Sequence, residues 1–474
     1  MKLYNTLGRE VEEFKPLVDG QVKLYSCGPT VYDYAHIGNL RAYVFDDTLR
    51  RTLTVAGYDV KQVMNITDVG HLVSDDDEGE DKLEKGAQRE AKTVWEVADF
   101  YIKAFLDDIS QLNILPPNGY DGPHGPYARA TDFIKEQLEM VSILTDRGFA
   151  YQTEQAIYFD VSKLGDYGKL TGQKLSDKEV AARSEVVTDA NKHHPQDFAL
   201  WFFKVGRFAD HSMSWPSPWG EGFPGWHLEC SAIVHATLGE PLDIHTGGVD
   251  HIGTHHTNEI AQTEAAFGVE LSRFWLHNEH LLADGQKMSK SKGNYITLKD
   301  IKDRGYESLA LRLLFLQSHY RSQTNFTWEA LDGAQAFLKR LQAWADLKHQ
   351  PSQDRSNEVG QTYKPALDNV KQALMNDLNT AEALGWVSGL VSQAEDYGVG
   401  IGAIQDALDE LDKILGLELS NREDIDPADK DLIAERQSAR ERDDWVTADN
   451  IRKLLLDKGI ELNDTSTGSI WRRV

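Results

Sequence analysis

The stretch Val22 to Leu40, reading VKLYSCGPTVYDYAHIGNL, limits the possible folds more than any other part of the chain. Val22-Lys23-Leu24-Tyr25 is a short apolar run, the length of one buried strand. Ser26-Cys27-Gly28-Pro29-Thr30 breaks it with turn residues. His36-Ile37-Gly38-Asn39 follows, and a helix is predicted from Arg41 to Thr54. A strand, a glycine-bearing turn and a helix begin a nucleotide-binding α/β unit, because the free N–H groups of the helix start can receive a phosphate. Neither GxGxxG nor GxxxxGK[ST] is present, which disfavours the dinucleotide and P-loop versions.

Tyr58 to Ile66 predicts a second strand. Open parallel sheets place ligand residues at strand C-termini, so Thr67 is a site candidate. Ser74 to Asp81 (SDDDEGED) lacks the spacing of a calcium loop and reads as a solvated surface insert. Lys82 to Leu112 predicts one long helix, with Val94, Val97, Ala98, Tyr101 and Phe105 at helical spacing. After the break at Pro116-Pro117 come a helix from Thr131 to Arg147 and a strand from Ala156 to Val161. Asp197 to Phe203 returns to a core, and Gly225 to Cys230 opens a helix. Leu242 to His245 is a strand running into Thr246-Gly247-Gly248-Val249-Asp250, where glycines let a nucleotide approach the backbone. The next helix starts near Thr254. Ala334, Phe337, Leu338, Leu341, Trp344 and Leu347 form one apolar stripe of a helical bundle. Gln350 to Thr362 and Ser420 to Asp429 read as polar linkers, and Asp431 to Val474 as a helix pair with a tail.

At 474 residues the chain can hold about three domains. No apolar run nears the ~20 residues of a membrane span, and MKLYNTLGREVEEF has no apolar signal region, so a cytoplasmic protein without membrane contact is expected. A net charge of −26 argues against a nonspecific nucleic-acid binder, but not against an enzyme with local basic tracks. Two cysteines, Cys27 and Cys230, make no disulfide framework. His255 and Glu259, four apart, share a helix face, while His256 points elsewhere. On the residues alone, two buried reduced thiols and a tetrahedral zinc site built from Cys27, Cys230, His255 and Glu259 both remain open.

His36-Ile37-Gly38-Asn39, taken with the later Lys287-Met288-Ser289-Lys290-Ser291-Lys292-Gly293-Asn294, resembles the paired signature of class I aminoacyl-tRNA synthetases. CGPTVYDYAHIGN, GWHLECSA, HHTNEIAQ and the terminal IWRRV narrow the resemblance to the cysteinyl-tRNA synthetases, over nearly the whole chain. It implies an α/β fold. A Rossmann-like parallel-sheet catalytic domain would begin in residues 1–115, be split by a connective insertion at 116–200, and resume with the zinc site at 201–275. A lysine-loop region at 276–325, a helical anticodon-stem-binding bundle at 326–418 and a small C-terminal domain at 419–474 would follow. The implied activity, in a monomer, is cysteine activation by ATP (carried with Mg2+), then transfer of cysteine to tRNA for cysteine.

The resemblance implies one zinc per chain on Cys27, Cys230, His255 and Glu259, both structural and substrate-recognising. Shape alone separates single small groups by only ~10–200-fold. A coordinated thiol is deprotonated outright, whereas a serine hydroxyl is a poorer ligand. Thr67, Trp226 and His245 are expected around the amino acid. Gly28, Gly38, Gly247, Gly248, Asp250, Lys287, Met288 and Lys290 are expected along ATP. His36, Asn39, Lys287 and Lys290 would stabilise transition-state charge, with the amino-acid carboxylate as nucleophile. Asn39 replaces the second histidine of the common motif and can donate a hydrogen bond without carrying charge. Arg436, Arg440, Arg442, Trp471, Arg472 and Arg473 would track phosphates or stack on a base, although the acidic residues among the first three also suit a solvated helix face. Two other functions share these residues: a ligase joining cysteinyl-adenylate to an amino-sugar, whose relatives look shorter, and a non-catalytic, zinc-stabilised RNA-binding paralogue.

Overall fold

The apolar run Val22 to Tyr25 becomes the middle strand of a five-stranded parallel sheet. A computed structural model describes residues 1–70, 81–172, 189, 191–289, 292–350, 356–397, 401–465 and 468–474. The chain forms two compact units, Met1–Gly305 with Tyr320–Phe326, and Tyr306–His319 with Thr327–Val474.

In the first unit, a hairpin of β1 (Lys2–Asn5) and β2 (Glu10–Glu13) precedes β3 (Gln21–Ser26). Helix α1 (Ile37–Val55) connects β3 to its parallel neighbour β4 (Asp59–Ile66). Helices α2 (Lys82–Glu90) and α3 (Val94–Gln111) lead to the short β5 (Ala128–Arg129). Helix α4 (Ile134–Asp146) is followed by an antiparallel sheet of β6 (Ala150–Gln152), β7 (Ala156–Phe159), β8 (Phe198–Phe203) and β9 (Gly222–Pro224). The chain re-enters the parallel sheet through α5 (Trp226–Thr237), β10 (Leu242–Gly248), α6 (His255–Phe267) and β11 (Ser272–Asn278). The strand order is β11-β10-β3-β4-β5. From β3 the chain steps to β4 on one side and, after the inserted sheet, to β10 on the other. That reversal opens a crevice at the strand C-termini, where open parallel sheets bind ligands.

Three expectations about this unit need correction. Lys82 to Leu112 is two helices rather than one. Ala91 adopts a left-handed φ of 52°, and Thr93 starts α3 with a capping box closed by Glu96. The Thr-x-x-Glu pattern was legible, because such a pair satisfies two orphan donors at a helix start. Asp81 is also interior rather than solvated, at 6% exposed. Its carboxylate caps α2 through Glu84 N and faces His211 Nε2 at 3.0 Å. Residues 74–80 of that acidic stretch lie outside the described residues. The sheet of β6 to β9 extends to Pro224, beyond the expected end of the insertion at residue 200, while β5 pairs with β4 in the parallel sheet. The reason lies in β8, whose residues are buried on both faces. Phe198, Leu200, Trp201 and Phe203 pack in one cluster, and Ala199 and Phe202 in another. The first unit also holds β12 (Leu281–Ala283), β13 (Gln286–Lys287), α7 (Leu298–Asp303) and β14 (Thr324–Phe326).

The second unit is largely helical: α8 (Ser308–Leu316), α9 (Trp328–Asp346), α10 (Ser356–Met375), α11 (Thr380–Tyr397), α12 (Ile401–Leu415), α13 (Pro427–Glu441) and α14 (Trp445–Asp457). The stripe on α9 buries Ala334, Leu338, Leu341 and Trp344, with Phe337 and Leu347 half-buried. Helix α10 begins within the stretch expected as a linker, because Tyr363, Leu367, Val370 and Leu374 give it an apolar face to bury. Residues 351–355 lie outside the described residues. The tail is a hairpin of β15 (Ile460–Thr465) and β16 (Gly468–Arg473), which the sequence reading missed. Its buried residues alternate, Ile460 and Leu462 on one strand and Ser469 and Trp471 on the other, and needed the period-two template. No helix among the described residues is long and apolar enough to cross a membrane.

The hairpin uses residues expected to touch RNA. Arg436 is buried and donates to both oxygens of Asp464, at 2.8 and 2.9 Å, and Arg440 pairs with the same carboxylate. Trp471 is 3% exposed, packed in the core with Ile451, Leu455 and Leu462. Arg472 pairs with Glu461 across the hairpin, and Arg473 with Asp346. Arg436 and Trp471 are therefore core residues, and the expectation of RNA contact at these two is overturned. Hydrogen bonds from Arg436 hold the Asp464 carboxyl well below the usual carboxylate range. A group so depressed stabilises the fold fully above its unfolded pKa of about 4, and that contribution is lost as pH falls. Protection factors of the β15–β16 amides should therefore drop between about pH 5 and about pH 3. Asp464→Asn should flatten that drop while lowering protection at neutral pH, as read by hydrogen exchange.

Candidate metal centre and nucleotide cleft

His36 is the N-cap of α1. Its Nδ1 accepts from Asn39 N at 3.1 Å, and Asn39 Oδ1 accepts from His36 N at 3.2 Å. The carbonyl of Asn39 is thus engaged in capping, which leaves its Nδ2 as the donor. Because Nδ1 of His36 accepts, its ring proton sits on Nε2. Burial, reinforced by the charge of Lys287, pushes His36 down to about 4, so the ring is a neutral donor at pH 7. Gly38 makes this helix start accessible, since a Cβ there would lie 2.8 Å from Met288 Cε and 2.9 Å from His36 Cε1. Lys287 ends β13. Lys290, with Ser291, lies outside the described residues.

Cys27 follows β3, Cys230 lies in α5, and His255 and Glu259 stand one turn apart on α6. All four are buried, and their ligand atoms lie within 4.8 Å of one another. His255 Nε2 is 2.9 Å from Glu259 Oε1, yet that buried oxygen makes no hydrogen bond. The two groups sit at ion-pair distance with both atoms facing the cysteines. Glu259 Oε2 is held instead by His245 Nε2 at 2.9 Å. The electrostatics point the same way. Burial and the neighbouring Cys230 push the Cys27 thiol well up, while Cys230, hydrogen-bonded by Cys27, is pulled down to about 7. Burial alone would lower His255, but the Glu259 charge outweighs it and raises the ring to about 10. Two thiols, an imidazole and a carboxylate converge in one buried volume, and a divalent cation that takes sulfur, nitrogen and oxygen together would replace the protons they otherwise share. The donor set therefore fits zinc.

The same atoms admit an overlapping set of Cys27, His245, His256 and Glu259. The expectation that His256 points elsewhere is overturned, because its Nε2 lies 3.3 Å from Cys27 Sγ. Gly247 explains the difference. A Cβ at that position would sit 2.6 Å from His256 Cε1, so the missing side chain lets the ring turn toward the sheet.

A cleft of about 320 Å3 joins the two centres. Cys27, Gly28, Gly38, Asn39, Thr67, Trp226, Gly247, Gly248, Asp250 and Met288 line it, together with His36, Lys287, Cys230 and His255. Trp226 stacks on His255 with ring centroids 4.3 Å apart. Thr67 donates to Glu229 at 2.8 Å. His245 was expected beside the amino acid, but it is fully buried, does not line the cleft, and stacks on Trp275 while holding Glu259. His251 lines the cleft unannounced, its Nδ1 unbonded and its ring pushed by burial to about 4. Its signal was three histidines within six residues, His251 to His256.

Residues 13–336 match the family described as tRNA synthetases class I (C) catalytic domain. The chain is 41% identical over 508 residues to a Cysteine--tRNA ligase of Treponema denticola, with 100% of each chain covered. It belongs to the cysteinyl-tRNA synthetase family of class I. Cysteine--tRNA ligase 1 of Burkholderia lata is 42% identical over 477 residues, covering 99% of this chain and 96% of that one. The fold extends beyond the cysteinyl-tRNA synthetases. The methionyl-tRNA synthetase of Mycobacterium tuberculosis in complex with methionyl-adenylate superposes with a TM-score of 0.61 at 13% identity, over 85% of this chain and 92% of that one.

For this cysteinyl-tRNA synthetase family member, Gly28 is the tightest point of the cleft. Its N–H donates to Asn65 Oδ1 at 2.8 Å, and a Cβ would fall 1.7 Å from Asn65 O on the neighbouring strand. Backbone cannot yield as a side-chain tip can. Gly28→Ala should destabilise the protein by ~3 kcal/mol or more in urea unfolding. Gly253→Ala, whose Cβ would meet nothing within 4 Å, should stay within ~0.5 kcal/mol.

Proposed function

We propose that the protein joins L-cysteine to ATP, forming cysteinyl-adenylate and pyrophosphate, and then passes the cysteine to the 3′-terminal adenosine of tRNA for cysteine. The observation that carries this reading is a four-donor soft metal site that opens into the same cleft as a phosphate-receiving helix start. Family membership over the full chain supports it.

Zinc on Cys27, Cys230, His255 and Glu259 would supply a soft electrophile that prefers a thiolate to a hydroxyl, so ligand chemistry would separate cysteine from serine. The chain's own residues do the rest. Thr67 and Trp226 flank the amino acid next to the metal ligands. The amino-acid carboxylate attacks the α-phosphorus; an O–P bond forms and the bond to pyrophosphate breaks. His36 Nε2–H, Asn39 Nδ2 and the N–H of Gly38 then face charge that grows in the transition state. Lys287 adds a mobile cation, Lys290 is proposed to do the same, and Mg2+ arrives with ATP. Gly38, Gly247 and Gly248 keep Cβ atoms out of the nucleotide's path, and Asp250 and Met288 border it. Two free buried cysteines are compatible with a reducing, cytoplasmic setting.

For tRNA, the second unit offers a better platform than the buried Trp471. Trp445 is 55% exposed at the start of α14, next to the exposed Arg442. An accessible indole beside a guanidinium suits a splayed base. This helical unit favours the tRNA enzyme over the amino-sugar ligase.

Purified protein should contain one zinc per chain by elemental analysis, and Cys230→Ser or Glu259→Gln should lose it. Cysteine should drive ATP–pyrophosphate exchange and serine should not; exchange with serine would sink the reading. Lys287→Ala should lower kcat of exchange on the order of 100-fold with little change in the KM for cysteine. Trp445→Ala should lower tRNA charging while leaving exchange intact, in a paired assay of the two steps.

A further inference from the structure

Cys27 has a second set of neighbours, away from the cleft. His256 Nε2 lies 3.3 Å from Cys27 Sγ, and His256 Nδ1 lies 2.8 Å from His277 Nε2. His277 Nδ1 lies 2.8 Å from Thr6 Oγ1. His256 is 0% and His277 4% exposed, Thr6 is half-buried, and none of the three lines the cleft.

Only one N–H fits between two ring nitrogens 2.8 Å apart, because two would set donor against donor. The two rings therefore share one tautomer choice, and fixing one fixes the other. The ends of the row decide the direction. A ligand thiolate can only accept, and a threonine hydroxyl can donate. All three bonds are satisfied together when Thr6 O–H donates to His277 Nδ1, His277 Nε2–H donates to His256 Nδ1, and His256 Nε2–H donates to Cys27 Sγ. Every donor in the row points toward the sulfur.

We propose that His277, acting through His256, is a positioning residue that fixes an N–H···S hydrogen bond on the Cys27 thiolate and so sets how strongly that sulfur donates to the bound metal. This rests on the reading of Cys27 as a metal ligand. Hydrogen bonds to a ligand sulfur tune its metal, and the outer partner of a histidine fixes its tautomer. A sulfur that donates less leaves the metal more receptive to the incoming thiolate of the substrate. The competing arrangement, with His256 as a ligand in its own right, requires the opposite polarity: Nε2 offers its lone pair to the metal and Nδ1–H donates to His277.

Replacing zinc by cobalt(II) in the full chain separates these cases. Thiolate-to-cobalt charge-transfer bands report sulfur donation, and the visible ligand-field bands report coordination. His277→Phe should move the charge-transfer band to lower energy with ligand-field intensity unchanged. His277→Gln, whose amide can still donate to His256 Nδ1, should restore most of the wild-type position. Thr6→Val should give a smaller shift to lower energy, and it carries the test if His277→Phe does not fold. A wild-type charge-transfer band in His277→Phe, or in Thr6→Val when that variant stands alone, overturns the proposal. So does a changed ligand-field intensity, which would mark His256 as a ligand. Wild-type protein that takes up no cobalt would instead overturn the metal reading on which this rests.

Discussion

Glu259 is a carboxylate with no access to water, and its surroundings are arranged to keep it charged. Transferring such a group from water costs several kcal/mol after relaxation unless partners compensate. Burial opposes ionisation here, yet His245 and His255 overcome it and hold the carboxyl well below the usual range. His245 comes from β10, while His255 and Glu259 come from the helix that follows it. Cys27 comes from the adjacent strand β3, and Cys230 from the helix that precedes β10. The centre therefore exists only while the β3–β10 pairing holds its register. The crevice at the strand reversal and the charge centre share the same backbone contacts.

The nucleotide end of the cleft shows a different economy of parts. One histidine both caps a helix and presents an N–H to the cleft, because its two ring nitrogens are divided between those tasks. Asn39 completes the cap with its carbonyl oxygen. A second histidine could accept that bond only by committing one ring nitrogen to it, which would leave a single N–H for the cleft. The departure from the common motif is thus tied to local helix geometry as much as to phosphate chemistry.

Much of this was legible in the sequence, for identifiable reasons. The parallel strands stand out as short stretches with apolar residues at alternate positions, bounded by turn residues, as in Val22 to Tyr25 and Leu242 to His245. The Cys27, Cys230, His255 and Glu259 set could be read only with family resemblance, since two cysteines so far apart in sequence have no spacing rule. His256 was misread because helical periodicity says which residues share a face, not which face a missing Cβ leaves open. Gly247 decides that, from another strand. Arg436 and Trp471 looked like RNA contacts because a basic and aromatic tail has the same composition whether it faces solvent or closes a hairpin core. Only the Asp464 partner, fixed by strand pairing, separates the two.

The inserted sheet between β5 and α5 places a delay inside the metal centre. Cys27 leaves the ribosome long before Glu259, and at ~5–20 residues per second the interval is roughly 10–50 s. For that time a strand-end thiol has no helix above it and no carboxylate or imidazole beside it. The half-built sheet must protect Cys27 from oxidation and from stray metals, or the cell's reductants must do so. The last donor to emerge, Glu259, then closes the site and completes the centre that joins the two halves of the sheet.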